Sequence, residues 1–116
     1  MIGLGWLATR TPAFDQMVSF ARDQLHLVPS KLTSDTASFT LPSGDTFEVY
    51  GSEEAGGGHP ADGAVGAFLV DDAEAAHGEL ARSGAEVLEL HVDGEFRWFY
   101  VKAPDGSYYE LYSTRS

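Results

Sequence analysis

Two similar stretches decide the fold of this chain: "LPSGDTFEVYG" (residues 41–51) and "APDGSYYELYS" (residues 103–113). Each opens on a Pro-x-Gly turn sequence and continues with strand-forming residues, a pattern typical of a β-hairpin. The shared positions keep a constant spacing of 62 residues. They are Pro42/Pro104, Gly44/Gly106, Glu48/Glu110 and Tyr50/Tyr112. The sequence therefore contains an internal repeat, and each copy carries a glutamate at the same point of its hairpin.

The turn chemistry predicts which side chains share a face of each hairpin. A three-residue loop with glycine in the left-handed position closes between Ala103 and Ser107, and the first copy follows the same rule. The expected cross-strand pairs are Tyr100 with Glu110, Trp98 with Tyr112, Ser38 with Glu48 and Thr36 with Tyr50. The opposite face is apolar and should pack on the helices. It carries Ala37, Phe39, Phe47 and Val49 in the first copy and Phe99, Val101, Tyr109 and Leu111 in the second.

The segments before each hairpin complete the repeat. A strand at 2–9 precedes a helix, for which Thr11 is the expected N-cap and Pro12 the first helical residue. A strand at 64–70 precedes a second helix, capped by Asp72 and ended at Gly84. The remaining expected strands lie at 28–33 and across "AEVLELHV", residues 85–92. The order is βαβββ, twice.

The predicted fold class is α+β. Two βαβββ modules form a cupped, mixed, eight-stranded sheet with the helices outside. Residues 1–116 form a single domain, with module 1 at 1–51, a Gly- and Pro-rich linker at 52–63 and module 2 at 64–116.

Composition narrows the classes of function. A chain of 116 residues suits one compact core, and the formal net charge of −11 repels nucleic acids and anionic membranes. No apolar run is long enough to span a membrane, and the N-terminus lacks a signal-peptide pattern, so a cytoplasmic location is expected. The absence of cysteine excludes disulfides and thiolate metal sites.

The repeated βαβββ unit and the "PDGSYYEL" hairpin (residues 104–111) resemble the vicinal oxygen chelate superfamily, which includes glyoxalase I, extradiol dioxygenases and bleomycin-resistance proteins. The helix segments "TPAFDQMVSFARDQLHL" and "FLVDDAEAAHGELARSGAEV" follow the family's pattern as well. The resemblance implies that two modules, from one chain or swapped between two, enclose a cavity. It also implies a homodimer.

The same resemblance identifies the positions at which metal-dependent members bind a divalent ion. The closing hairpins supply Glu48 and Glu110, whereas the opening strands supply Trp6 and Val65, which cannot ligate a metal. Two carboxylates alone make a poor site for zinc or nickel. No cofactor is expected, and a divalent metal, if present, would be held by Glu48 and Glu110.

Two functions from different classes remain open. The first is a metal-free protein of the bleomycin-resistance type that sequesters a partly cationic aromatic ligand. Its expected ligand-binding residues are Trp6, Glu48, Tyr50, Trp98, Tyr100, Glu110 and Tyr112. The alternative is a glyoxalase- or dioxygenase-like enzyme that acts beside a carbonyl, as a lyase or isomerase, and uses Glu48 and Glu110 with a divalent metal. A further variant is a metal-free lyase or isomerase with Glu110 as general base.

The histidines do not decide between these functions. His26 ends the first helix and His59 lies in the linker, whereas His77 is expected to be solvated. His91 shares a strand face with Glu89, a weak metal-binding pattern. The roles of His59 and His91 stay open.

Overall fold

A computed structural model describes residues 1–52 and 62–114. Most of the predicted linker, including His59, lies outside the described residues. The chain divides into two compact units: the first is Gly5–Ala64, and the second joins Met1–Leu4 to Val65–Ser116. The Ile2 amide donates to the Leu69 carbonyl at 2.8 Å, which explains why the first residues of the chain belong to the second unit.

The first unit holds a four-stranded sheet in the order β2-β3-β4-β1 and one helical segment. β1 and β4 pair in parallel, whereas β3 pairs antiparallel with both β4 and β2. The helix α1 runs directly into a π-helical turn. The elements are β1 (Gly3–Thr11), α1 (Phe14–Ser19), the π-helical turn (Phe20–Gln24), β2 (Pro29–Leu32), β3 (Thr36–Thr40) and β4 (Thr46–Gly51).

The second unit repeats this plan with one additional strand. Its sheet order is β5-β9-β8-β6, and β7 also pairs with β8. β5 and β9 pair in parallel, and β8 and β9 form the antiparallel hairpin. The elements are β5 (Gly63–Leu69), α2 (Ala73–Arg82), β6 (Glu86–Val87), β7 (His91–Asp93), β8 (Phe96–Lys102) and β9 (Tyr108–Ser113). The α+β class with a mixed sheet is confirmed.

Both hairpin turns have the predicted geometry. The Ala103 amide donates to the Ser107 carbonyl at 2.7 Å, and Leu41 donates to Asp45 at 2.9 Å. Gly44 and Gly106 have φ values of +90° and +87°, the left-handed conformation that only glycine adopts without strain. All four predicted cross-strand pairs are present. The three-residue loop therefore fixes which side chains lie beside each glutamate.

Each unit has its own apolar core on the predicted face of its hairpin. In the first unit the helical segment packs on the sheet through Val18, Ala21, Ala37, Phe39 and Val49. In the second, the buried cluster is Val70, Ala73, Phe99 and Leu111. Tyr109 departs from the prediction: it lies at the solvent end of this face and is 37% exposed.

Two further predictions need correction. The first helix does not begin at Pro12, because β1 remains paired with β4 as far as Thr11, opposite Gly51. Thr11 instead accepts a hydrogen bond from the Ala13 amide through its hydroxyl, at 3.0 Å. The single strand expected at 85–92 is two short strands, because the pairing register on β8 shifts by one residue between β6 and β7.

The cap and end of the second helix are confirmed. The Asp72 carboxylate accepts from the Ala75 amide at 3.0 Å, and Gly84 follows the helix with a φ of +91°. Among the described residues, no helix combines the length and the apolar character needed to cross a membrane.

Candidate functional site

The Glu48 carboxylate is the centre of a polar cluster in the first unit. Glu48 lies on β4, the strand that runs between β3 and β1, and only 8% of its surface is exposed. Ser38 on β3 stands directly opposite and donates its hydroxyl to Oε2 at 2.5 Å. The Trp6 indole N–H donates to Oε1 at 2.8 Å, and the Tyr50 hydroxyl donates to the same oxygen.

This cluster follows from strand alternation. Ser38, Glu48 and Tyr50 project from the face opposite the apolar core, because alternate residues of a strand face opposite sides. On β1, Ala8 pairs with Glu48, and Trp6 precedes Ala8 by two residues on the same side. The sequence predicted this shared face, but it did not predict that the indole N–H would bind the carboxylate.

The Glu110 face of the second unit has a different character. Glu110 is half-buried, and Tyr100, which is almost fully buried, stands opposite it on β8. A series of aromatic rings from β7, β8 and β9 lies next to Tyr100. His91 stacks on Trp98 with ring centres 5.1 Å apart, Phe96 lies against Trp98 at 5.2 Å, and Phe96 stacks on Tyr112 at 5.6 Å. Phe96 and His91 are members that the sequence analysis did not assign to this face.

The register of β5 locates the counterpart of Trp6. Ala67 pairs with Glu110, as Ala8 pairs with Glu48, and Val65 precedes Ala67 by two residues. Trp6 and Val65 therefore hold equivalent positions relative to the two glutamates. Trp6 presents an N–H donor there, whereas Val65 is buried and apolar.

Three of the histidines have defined surroundings. His77 was expected to be solvated, but it is half-buried: its Nε2 lies 2.8 Å from the Leu88 carbonyl, and its ring packs edge-on against Phe99 at 4.9 Å. The segment between β6 and β7 covers this side of α2, and no local sequence pattern reports that. His91 belongs to the aromatic series, and His26 is an exposed residue in the left-handed region, with a φ of 59°.

The residues present do not fit the metal site that the resemblance implies. Trp6 and Val65 offer no lone pair to a metal, and the Glu48 oxygens already accept three hydrogen bonds. Zinc and nickel favour imidazole within a set of three or four ligands. In residues 1–52 and 62–114, no three of the His, Asp and Glu side chains come together as a metal-binding group.

Solved structures share this fold. A glyoxalase/bleomycin resistance protein/dioxygenase superfamily member from Vibrio splendidus superposes with a TM-score of 0.70 at 20% identity, covering 92% of this chain and 95% of that one. Methylmalonyl-CoA epimerase from Mycobacterium tuberculosis gives 0.70 at 17% identity, over 96% and 87% of the two chains. The Mn(II)-bound glyoxalase from Novosphingobium aromaticivorans gives 0.70 at 16% identity, over 98% of this chain and 39% of that one.

These neighbours define the class of fold. The chain has the vicinal oxygen chelate fold, which the two βαβββ units indicated from the sequence. The sequence itself matches no protein-family profile and no curated protein.

Proposed function

We propose that the protein is a metal-free small-molecule-binding protein of the glyoxalase/bleomycin-resistance type, which sequesters a partly cationic aromatic ligand. The single observation that supports this most strongly is the surroundings of Glu48. A carboxylate with little exposed surface accepts from three neutral donors, so the hydrogen bonds fill three of its roughly four acceptor sites and bring no positive charge to it.

The neighbouring rings supply the second part of the proposal. Trp6 and Tyr50 flank the carboxylate in the first unit, and both are half-buried. A flat cation in contact with such rings gains stacking and cation–π attraction in addition to the charge contact. In the second unit, we propose the same role for Trp98, Tyr100, Glu110 and Tyr112.

The alternative is an enzyme that uses a divalent metal with Glu48 and Glu110, with Glu110 as general base. The fold also occurs in a Mn(II)-bound glyoxalase and in an epimerase. The chemistry of this chain favours the binding function, because Glu48 keeps a single open acceptor site and the described residues hold no group of three His, Asp or Glu side chains that could complete a metal site.

Thermal unfolding separates the two functions. The protein is titrated with nickel, zinc, manganese and ferrous ions and, in EDTA, with 2-naphthylmethylamine and its neutral analogue 2-naphthylmethanol. A ligand present at one hundred times its Kd stabilises the folded state by about 2.7 kcal/mol. We expect the charged naphthalene to raise the melting temperature and the metals to leave it unchanged. Stabilisation by a stoichiometric metal, with none by the naphthalenes, would contradict the proposal.

Substitutions in the second unit separate charge from stacking. Glu110→Gln keeps the shape and removes the charge, so it should weaken the charged naphthalene by about 1–3 kcal/mol and spare the neutral analogue. Trp98→Ala removes ring area and should weaken both ligands alike. Equal, negligible effects of both substitutions on a compound that binds would refute the assignment of this face.

We also propose a homodimer. Large apolar side chains remain exposed on the described chain, among them Ile2, Leu4 and Val28, and pairing of two copies would bury such residues. Light scattering should report twice the mass of one chain at micromolar concentration. A monomer across that range would contradict the assembly without affecting the binding proposal.

A further inference from the structure

The number of acceptor positions left on Glu48 limits the chemistry of the cation it can hold. A carboxylate has two oxygens with about four lone-pair sites in total. Oε1 accepts from the Trp6 indole and the Tyr50 hydroxyl, which fills both of its sites. Oε2 accepts from Ser38 and keeps one site. These three bonds are the complete set for Glu48 within the described part of the chain.

A forked cation needs a different arrangement. Amidinium and guanidinium groups bind carboxylates through two parallel N–H donors, one to each oxygen. Glu48 can accept at Oε2 only, so one arm of the fork would face an oxygen that is already filled. An ammonium group can place one of its three N–H donors on the open site, while the other two point away from the carboxylate.

Building on the proposed function, we infer that Glu48 selects ligands whose charge is an alkylammonium and discriminates against planar amidinium and guanidinium ligands. Displacing a donor to admit the fork is unfavourable. The Trp6 N–H and the Tyr50 hydroxyl both bind Oε1 in part-buried contacts, and admitting the fork would break one of these bonds. The selectivity thus arises from the protein's own donors and not from the shape of the ligand ring.

The test compares two probes that share ring and charge. Isothermal titration in EDTA measures 2-naphthylmethylamine against 2-naphthamidine on the wild-type protein. The second N–H of the amidine finds no acceptor, so the amine should bind about tenfold more tightly, the change that about 1.4 kcal/mol produces.

Two matched variants identify the cause. Tyr50→Phe keeps the ring and removes the hydroxyl, which opens one site on Oε1 and leaves one site on each oxygen. Ser38→Ala also removes one donor, but both open sites then lie on Oε2. Tyr50→Phe should move the amine-to-amidine ratio about tenfold toward the amidine, whereas Ser38→Ala should change it less than about twofold. Circular dichroism and thermal melts establish that both variants are folded.

The results of these titrations test the alkylammonium selectivity separately from the proposed binding function. Equal or tighter binding of the amidine to the wild-type protein, with both probes bound, overturns the inference and leaves the proposed function intact. A Tyr50→Phe ratio equal to the wild-type ratio also overturns it. Binding of neither probe contradicts the proposed function and the inference together. A shifted ratio in Tyr50→Phe alone supports both.

Discussion

The two units place a glutamate at the same point of the same hairpin, yet they surround it differently. Opposite Glu48 stands Ser38, and opposite Glu110 stands Tyr100. The first carboxylate is almost fully buried among hydrogen-bond donors, whereas the second is half-buried on a face with stacked rings. The turn therefore fixes the position of the carboxylate, while the side chains on the adjoining strands determine its chemistry.

The cores differ in a similar way. Position for position, Ala37 and Phe39 of the first hairpin correspond to Phe99 and Val101 of the second, so the large ring occupies opposite ends of the inward face. Both phenylalanines are completely buried. The two units therefore fill their cores with a phenylalanine at different positions of the same backbone arrangement.

The largest loss of stability is expected from substitutions that disrupt this packing. Phe39→Ala and Phe99→Ala each leave a cavity in the core of their own unit and should lower the free energy of unfolding by about 3–5 kcal/mol. Urea denaturation measures the loss. Tyr109→Ala, on the same face but at its solvent end, serves as the control and should have a much smaller effect. A loss below about 1 kcal/mol for either phenylalanine would show that its unit does not depend on this core.

The second largest loss of stability is expected from Glu48→Ala, and Glu110→Ala serves as its comparison. Glu48→Ala deprives the Trp6 indole, the Ser38 hydroxyl and the Tyr50 hydroxyl of their shared acceptor, so it should destabilise the protein by about 1–3 kcal/mol. Glu110 is less buried than Glu48, so Glu110→Ala should destabilise the protein less than Glu48→Ala does. The same urea experiment compares them. Equal losses would contradict the distinction between a buried polar cluster and a more open face.

The smallest change in stability is expected from a substitution in the hairpin turns. The pKa of the Asp105 carboxyl lies below its usual value of 3.8, mainly because the Ser107 backbone N–H donates to it, at 3.0 Å. In the first unit, Ser43 takes the place of this carboxylate. A lowered pKa in the folded state contributes stability above the unfolded value, and this is lost as the pH falls through the folded value.

Asp105→Asn should therefore lower the Tm slightly at pH 7, and the difference from wild type should vanish under acid. Differential scanning calorimetry from pH 7 to about pH 2.5 measures it. A difference that grows on acidification would contradict the assigned role of the Ser107 amide.

The sequence predicted most of the hairpin geometry because the turns are local: Pro-x-Gly fixes the loop, and the loop fixes the pairs beside Glu48 and Glu110. It did not predict the contacts that parallel pairing creates between distant strands. The bond from Trp6 to Glu48 and the continuation of β1 through Thr11 both depend on β1 pairing with β4. The partial burial of His77 likewise depends on the segment between β6 and β7, whose path no turn signal defines.

In the function that we propose, Glu48 holds a cationic aromatic ligand without a metal. The most direct test is isothermal titration of 2-naphthylmethylamine and 2-naphthylmethanol, in EDTA, into the wild-type protein and Glu48→Gln. We predict that the substitution weakens the charged compound about tenfold or more and leaves the neutral compound unchanged. Unchanged affinity of the charged compound for Glu48→Gln, or binding that requires added metal, would contradict the account.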